Sequence, residues 1–434
     1  MYLVIIRAEE EYIYLRRGAI TQLALVILVL VFILIALRQV GGYSIRIWQI
    51  MLIGAGGVLF TGQISLSDAF HAINPGVMFF LLGMFVIGEG VKSSGILEDC
   101  ISWICHHAHS GEMLLALIIG TMGLLSAVLM NDTIAIIGAP LILTIADRFL
   151  ISKPGAMIAL CFSVTTGSVF SPIGNPQNYL IASYIPELSP YLLFFIGLFI
   201  PTILSMGVIY AILRPLFRKV EPENLDCMLL ISRMAIDRWP VYLSFIILVV
   251  GVGLQILDGL QIWKWSIPIE WIALTGAIPV VVFSKDKIRL FKDIDWYTLI
   301  FFAAMFILMQ SVYDTGFFQD LLPETGISDV FFVMTAGVLL SQVISNVPFV
   351  ALFQPLLLSP GVSPSVILAL AAGSTIAGNL TILGAASNVI IIQQAERRGV
   401  HIPMMLFCRY GIPVTICQML IYTVYIHFIC LFGF

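Results

Sequence analysis

Two short polar sequences lie inside apolar runs: Asn131-Asp132-Thr133 interrupts residues 112–150, and Ser345-Asn346-Val347-Pro348 interrupts residues 330–358. Two longer runs are broken as well. Residues 154–184 contain Gly167-Ser168 and Ser171-Pro172-Ile173-Gly174-Asn175-Pro176, and residues 362–395 contain Gly373-Ser374, Gly378-Asn379 and Gly384. A helix break exposes free N–H groups at one helix end, which favour anions, and free carbonyls at the other, which favour cations. Asn131, Thr133, Ser345 and Asn346 can donate to oxyanions. Ser126, Ser341 and the carbonyls near Gly174 and Gly384 offer oxygens to sodium. The charge of Asp132 sits uneasily beside an anion, so this residue holds a cation, carries a proton, or faces away as a helix cap.

Taken singly, Asn-Asp-Thr reads as an extramembrane turn and Gly-Asn-Pro as a loop. The second copy of each changes that reading. Residues Leu124 to Asn131 align with Leu339 to Asn346, and Pro140-Leu141 with Pro355-Leu356, at one constant offset. Residues Ser171 to Asn178 align with Thr381 to Asn388 at a second offset, and Met84 and Gly95 match Met305 and Gly316. The Ser, Asn, Pro and Gly matches carry the weight, because leucine matches are cheap in so apolar a chain. Glu89 with Lys92 one turn on reads as an interfacial ion pair. His106, His107 and His109 read as part of a polar cytoplasmic connection, with no nearby pattern to complete a metal site, and His71, His401 and His427 are isolated.

The elements that position these residues follow from composition. Of 434 residues, 60% are apolar and only 11% charged, against roughly 45–50% and 25% in globular proteins. Apolar runs long enough to cross the bilayer recur along the chain, which predicts an all-α polytopic membrane protein. Runs such as Leu23 to Leu37 are apolar on every face, which argues against an outer-membrane barrel. The spans fall near 19–38, 44–62, 73–92, 154–184 and 189–217, then near 240–257, 265–284, 297–313, 362–395 and 403–433. This divides the chain into an N-terminal surface segment 1–18, a first repeat 19–217, a polar cytoplasmic linker 218–238 and a second repeat 239–434. Each repeat has five spans, about ten in all, so equivalent segments enter from opposite sides and the repeats are inverted. The interrupted runs 112–150 and 330–358 read as two re-entrant hairpins. With the linker inside, every Lys and Arg except Lys264, Arg7, Arg16 and Arg17 falls on the cytoplasmic side, while the stretch from Asp314 to Asp329 is acidic and outside. No cleaved signal is expected from the first eighteen residues.

Composition also narrows function. A net charge of −4 gives no footprint for nucleic acid. The seven cysteines read as small buried hydrophobes without disulfides or zinc. No phosphate-binding Gly-Lys loop is present, so an ion gradient drives the process. An intramembrane enzyme would need a His-Glu-x-x-His or Gly-x-Ser-x-Gly sequence, and neither occurs. A channel would not need two repeated hairpins.

At these residues the sequence resembles the ion transporter superfamily, which includes divalent anion:sodium symporters, citrate permeases, arsenite permeases and some sodium/proton antiporters. The resemblance runs from about residue 40 to the end and is nearest to the arsenite-permease and citrate-permease type. It rests on Asn131-Asp132-Thr133, Gly174-Asn175-Pro176-Gln177-Asn178, Ser345-Asn346-Val347-Pro348 and Gly378-Asn379-Leu380-Thr381 together. It implies a homodimer in the cytoplasmic membrane whose transport domain moves as an elevator. It puts Asn131 and Asn346 at the substrate, and Thr133, Asn175, Ser345, Pro348, Asn379 and Thr381 complete the expected substrate set. Ser126, Asn131, Asp132 and Gly174, and then Ser341, Asn346 and Gly384, would surround sodium. Relative to the Ser-Asn-Thr triplets of dicarboxylate symporters, Met130, Asp132 and Val347-Pro348 are departures. The expected function is secondary active transport of a small anion, a di- or tricarboxylate or an inorganic oxyanion, coupled to sodium or protons with no other cofactor. Arsenite or antimonite efflux and sodium/proton antiport are the alternatives.

Overall fold

A computed structural model describes residues 23–35, 45–185, 189–218, 237–262, 267–317, 329–357 and 362–431. The N-terminal segment 1–18, nearly all of the linker 218–238 and residues 318–328 of the acidic stretch lie outside the described residues. The protein is an all-α polytopic membrane protein, and no strand occurs among the described residues. Helices dominate because hydrocarbon offers no partner to backbone N–H and C=O groups, which an α-helix satisfies within itself.

The order of elements recurs, with Ile96–His107 the one element of the first series that has no counterpart among the described residues. The first series is Leu23–Ile35, Ile47–Phe60, the short Leu66–Ala72, Pro75–Ser94, Ile96–His107, the pair Gly111–Leu129 and Asn131–Arg148, the broken pair Lys153–Gly167 and Pro176–Tyr184, and Pro190–Phe217. The second is Arg238–Gly259, Ile269–Phe283, the short Lys287–Asp293, Trp296–Tyr313, the pair Val330–Ile344 and Asn346–Leu357, the broken Pro364–Ile376 and Ala386–Glu396, and Met404–Cys430. Among the described residues, six of these helices are long and apolar enough to cross a membrane. Gly95 and Gly316, matched in sequence, both adopt left-handed backbone, with φ of 74° and 77°. The Glu89–Lys92 ion pair is present at 2.7 Å.

Several expectations need correction. Asn131-Asp132-Thr133 is not the turn of its pair: the break is Met130 alone, and the three polar residues form the first helical turn after it. The second break is likewise Ser345 alone, with Asn346, Val347 and Pro348 in the following turn, where a proline is tolerated. Gly373-Ser374 does not interrupt its helix, which continues to Ile376. His106 and His107 end an amphipathic helix, Ile96–His107, with the His107 ring against Trp103. Of the cysteines, Cys105 and Cys161 are buried, whereas Cys100, Cys408, Cys417 and Cys430 are only half-buried.

The chain forms two compact units. One comprises residues 1–78, 295–326 and 351–356. In it the helix Ile47–Phe60 packs on Trp296–Tyr313, with Trp48 stacked on Tyr297 and Arg46 over the same ring. The other comprises residues 79–294, 327–350 and 357–434 and holds both breaks and both broken helices. Here glycines let helices meet backbone to backbone. A Cβ on Gly167 would lie 2.2 Å from the Gly123 carbonyl oxygen, and one on Gly373 would lie 2.8 Å from the Met334 oxygen. Gly123 and Gly337 thus seat each pair's first helix on its broken helix, and Gly373 serves contact rather than a kink.

Gly167→Ala is expected to destabilise the protein by about 3 kcal/mol or more, because backbone cannot retreat as a side chain can. Gly120→Ala, with nothing within 4 Å of the new methyl, should stay within about 0.5 kcal/mol of the parent. Thermal unfolding of the two variants in detergent checks the contrast.

Candidate functional site

Met130 and Ser345 set the geometry. Their backbones lie at φ 63°, ψ 139° and φ 71°, ψ 158°, close to a region that normally only glycine occupies, at a cost of about 1–3 kcal/mol each. The same excursion at matched positions swings the following Asn to the head of a new helix in both halves. Asn131 and Asn346 are each 4% exposed.

The Asn131 N–H donates to the Gly174 carbonyl at 2.8 Å, which ties the first break to the first broken helix. Its side-chain nitrogen reaches Ser387 Oγ of the second broken helix at 3.5 Å. Ser126 Oγ donates to the Val164 carbonyl at 2.7 Å. Thr133 is buried against Gly88, where a Cβ would lie within 3 Å of the threonine side chain. Asp132, half-buried, occupies the first turn of Asn131–Arg148, where the helix dipole favours a carboxylate. In the second half the tie runs through a side chain: Gln342 Nε2 donates to the Val338 and Ala377 carbonyls, and Gln342 Oε1 accepts from Thr381 Oγ1 at 2.7 Å. Three buried oxygens near the breaks lack any hydrogen-bond partner: Asn131 Oδ1, Asn346 Oδ1 and Ser341 Oγ. Two of the three are equivalent atoms in the two halves. Buried polar atoms are almost always satisfied, and an orphan points to a ligand or ion.

The broken helices are held by a reciprocal arrangement. Asn178 Nδ2 donates to the Ser168, Val169 and Ser171 carbonyls of its own break, of which those of Ser168 and Ser171 also accept the Ser171 and Gly174 N–H groups. Asn388 Nδ2 donates to the Gly378 carbonyl, the counterpart of Ser168. Each Asn then accepts from the other half: Thr375 Oγ1 donates to Asn178 Oδ1 at 3.1 Å, and Thr165 Oγ1 to Asn388 Oδ1 at 3.3 Å. Gly174 and Gly384 close their loops identically, on the Ser171 and Thr381 carbonyls.

The structure therefore gathers Asn131, Thr133, Asp132, Ser126 and Gly174 around one break, and Ser341, Ser345, Asn346, Pro348, Gln342, Thr381 and Gly384 around the other. Asn175 and Asn379 are placed differently from the rest of the expected substrate set. Asn175 caps Pro176–Tyr184 through Asn178 N–H, and its amide donates to Ser168 and Thr375. The amide nitrogen of Asn379 is given to Thr166 and Gln418. Ser387, Gln342, Thr165 and Thr375 are contributors that motif reading missed. Thr165 and Thr375 had a signal, since they are identical residues at the offset that relates Asn178 to Asn388.

Comparison with known proteins agrees with this architecture. A citrate transporter family model matches residues 27–361. The chain is 29% identical to a 46 kDa membrane protein of Mycobacterium leprae (strain TN), over 86% of this chain and 92% of that one. It is 26% identical to the silicon efflux transporter LSI3 of Oryza sativa subsp. japonica, over 84% of this chain and 89% of that one. In structure it is similar to the YdaH transporter of Alcanivorax borkumensis, with a TM-score of 0.58, 16% identity, and 96% and 99% of the two chains covered.

Asn178→Ala takes the side-chain donor from three carbonyls of the break, two of which keep a backbone N–H, and is expected to cost about 3 kcal/mol. Thr375→Val alone should cost less, and the double variant should fall short of the sum by at least about 0.5 kcal/mol, since both remove one bond. Thermal unfolding of the four proteins checks the cycle, and simple additivity would break the proposed link.

Proposed function

Because the chain belongs to the citrate transporter family and is a membrane transporter rather than an enzyme, we propose that it is a secondary active carrier of a small anion, coupled to sodium or protons. The observation that carries this reading is the pair of equivalent orphan oxygens, Asn131 Oδ1 and Asn346 Oδ1, with Ser341 Oγ beside the second. Each asparagine heads a helix, so the free N–H groups of the turn that follows and the side-chain amide face an anion while the side-chain oxygen faces a cation. The substrate is a di- or tricarboxylate or an inorganic oxyanion, bound between the two breaks. The two series of elements are inverted repeats, 19–217 and 239–434, joined by a cytoplasmic linker, and the interrupted pairs are re-entrant hairpins. The carrier works as a homodimer in the cytoplasmic membrane by elevator-type alternating access.

A second reading is efflux of a weak hydroxylated acid such as arsenite or antimonite, or cation/proton exchange. Asp132 favours it, as a carboxylate in the first turn after the break where the anion would sit. The rice relative is a silicon efflux transporter, which points the same way for that protein.

Thermal unfolding against a panel of anions, with and without sodium, separates the readings, because a ligand of the folded state raises the midpoint. Stabilisation by an anion only with sodium present is expected; a response to sodium or pH alone would move the assignment to the antiporter. Asn131→Ala and Asn346→Ala should each reduce transport at least about a hundredfold while the protein remains folded, since each removes an anion donor and a cation oxygen. Near-normal transport in both would remove the site.

Asp132→Asn is expected to alter the pH or sodium dependence of transport while preserving the order of substrate preference. Initial rates at several pH values and sodium concentrations check this, and unchanged profiles would deny Asp132 a coupling role.

A further inference from the structure

Away from the breaks, a second group of buried oxygens surrounds Asn379. This residue is 0% exposed and sits in the short 3-10 segment Ala377–Asn379 of the second broken helix. Its amide nitrogen donates to Thr166 Oγ1 and to Gln418 Oε1, each at 2.9 Å, and Gln418 Nε2 donates to Thr166 Oγ1 at 2.9 Å. This ring fixes both amide orientations. With the amides reversed, two oxygens would face Thr166, whose hydroxyl has a single proton to give. Asn379 Oδ1 is therefore the atom left over, and it has no partner.

The last helix supplies the opposite wall. Gly411, Thr415 and Gln418 follow one another at helical spacing along one face of Met404–Cys430. A Cβ on Gly411 would lie 2.2 Å from the Asn379 carbonyl oxygen and 3.0 Å from that of Leu380, and Gln418 bonds the Asn379 side chain. Thr415, between them, faces the same segment; it is 1% exposed and its Oγ1 also lacks a partner. Two orphan oxygens and two main-chain carbonyls thus belong to facing segments where two broken helices and the last helix meet.

We propose that Asn379 Oδ1, Thr415 Oγ1 and the Asn379 and Leu380 carbonyls form a site for a small monovalent cation, distinct from the two breaks. Oxygens are what a hard cation takes, and the lack of formal charge on all four suits a monovalent ion over calcium or magnesium, whose sites rely on carboxylates. Unwound backbone lining a cavity supplies such carbonyls at membrane depth. This assignment stands apart from anion transport at the breaks.

The test uses the full chain in lipid nanodiscs, with thermal unfolding followed during titration of sodium chloride against choline chloride at constant ionic strength. In the Asn131→Ala/Asn346→Ala double variant, sodium is still expected to raise the midpoint saturably. Adding Thr415→Val, which keeps the shape and removes the hydroxyl, should shift the half-maximal sodium concentration up about tenfold, the loss of one ligand to a charged group. Thr415→Ser should restore it. Should the double variant not fold, Thr415→Val against Thr415→Ser in the otherwise unaltered chain reads the same shift. Sodium stabilisation of the parent that vanishes in the folded double variant would place all cation binding at the breaks and overturn the proposal. A Thr415→Val curve equal to the parent's would show that the space holds water, and would overturn it too.

Discussion

An unwound backbone inside an apolar protein must find a partner for every peptide group it exposes, and this requirement shapes the rest of the molecule. Asn178 is the clearest response, with one amide nitrogen serving three carbonyls of the first break. Because that nitrogen is committed inward, the oxygen of the same amide is free to face the other half, where Thr375 meets it. The second half repeats the device with Asn388 and Thr165. Close seating of neighbouring helices on these segments then requires glycine, as Gly123, Gly167 and Gly373 show. The Gly174 loop so fixed receives the Asn131 N–H, and the position of the first polar turn follows from it.

The near-symmetry of the scaffold does not extend to its chemistry. The first break is joined to its broken helix by main chain and by Ser126, with an acidic residue in the next turn. The second is joined by Gln342, which stands where the first half has Ala127, and it has Val347 in place of the acid. Ser126 and Ser341 are matched in sequence and equally buried, yet only the hydroxyl of the former has a hydrogen-bond partner. The two breaks thus share a backbone path and differ in side chains at single positions.

Much of this was legible in the sequence. Polar residues that no spanning helix could carry, occurring twice in the same order, located both helix pairs and both broken helices, and the Gly95–Gly316 match located a shared left-handed turn. The breaks themselves were misplaced by one residue or more, because methionine and serine give no sign that they adopt backbone normally left to glycine. Gly373-Ser374 looked like a break since glycine marks both bends and close contacts, and only packing tells these apart. Gln342 and Gln418 were invisible because Gln342 is a mismatch within its repeat, Gln418 lies outside the matched stretches, and the partners that matter lie 35 to 252 residues away. Asn379 was found by motif, but the direction of its amide depends on Gln418 and Thr166, which no local pattern links to it.

The exchange of hydrogen bonds between the broken helices also bears on how the chain is made. Thr375 follows Asn178 by 197 residues. When the ribosome has delivered the first half to the bilayer, the Asn178 oxygen and the Thr165 hydroxyl still await partners that have not been synthesised. The first half must therefore stay in the membrane as an incomplete intermediate, with these two side-chain groups provisionally satisfied by water, until the second half arrives. Neither half is a finished module, and a quality-control protease that senses unpaired polar groups in the bilayer would find its longest opportunity in that interval.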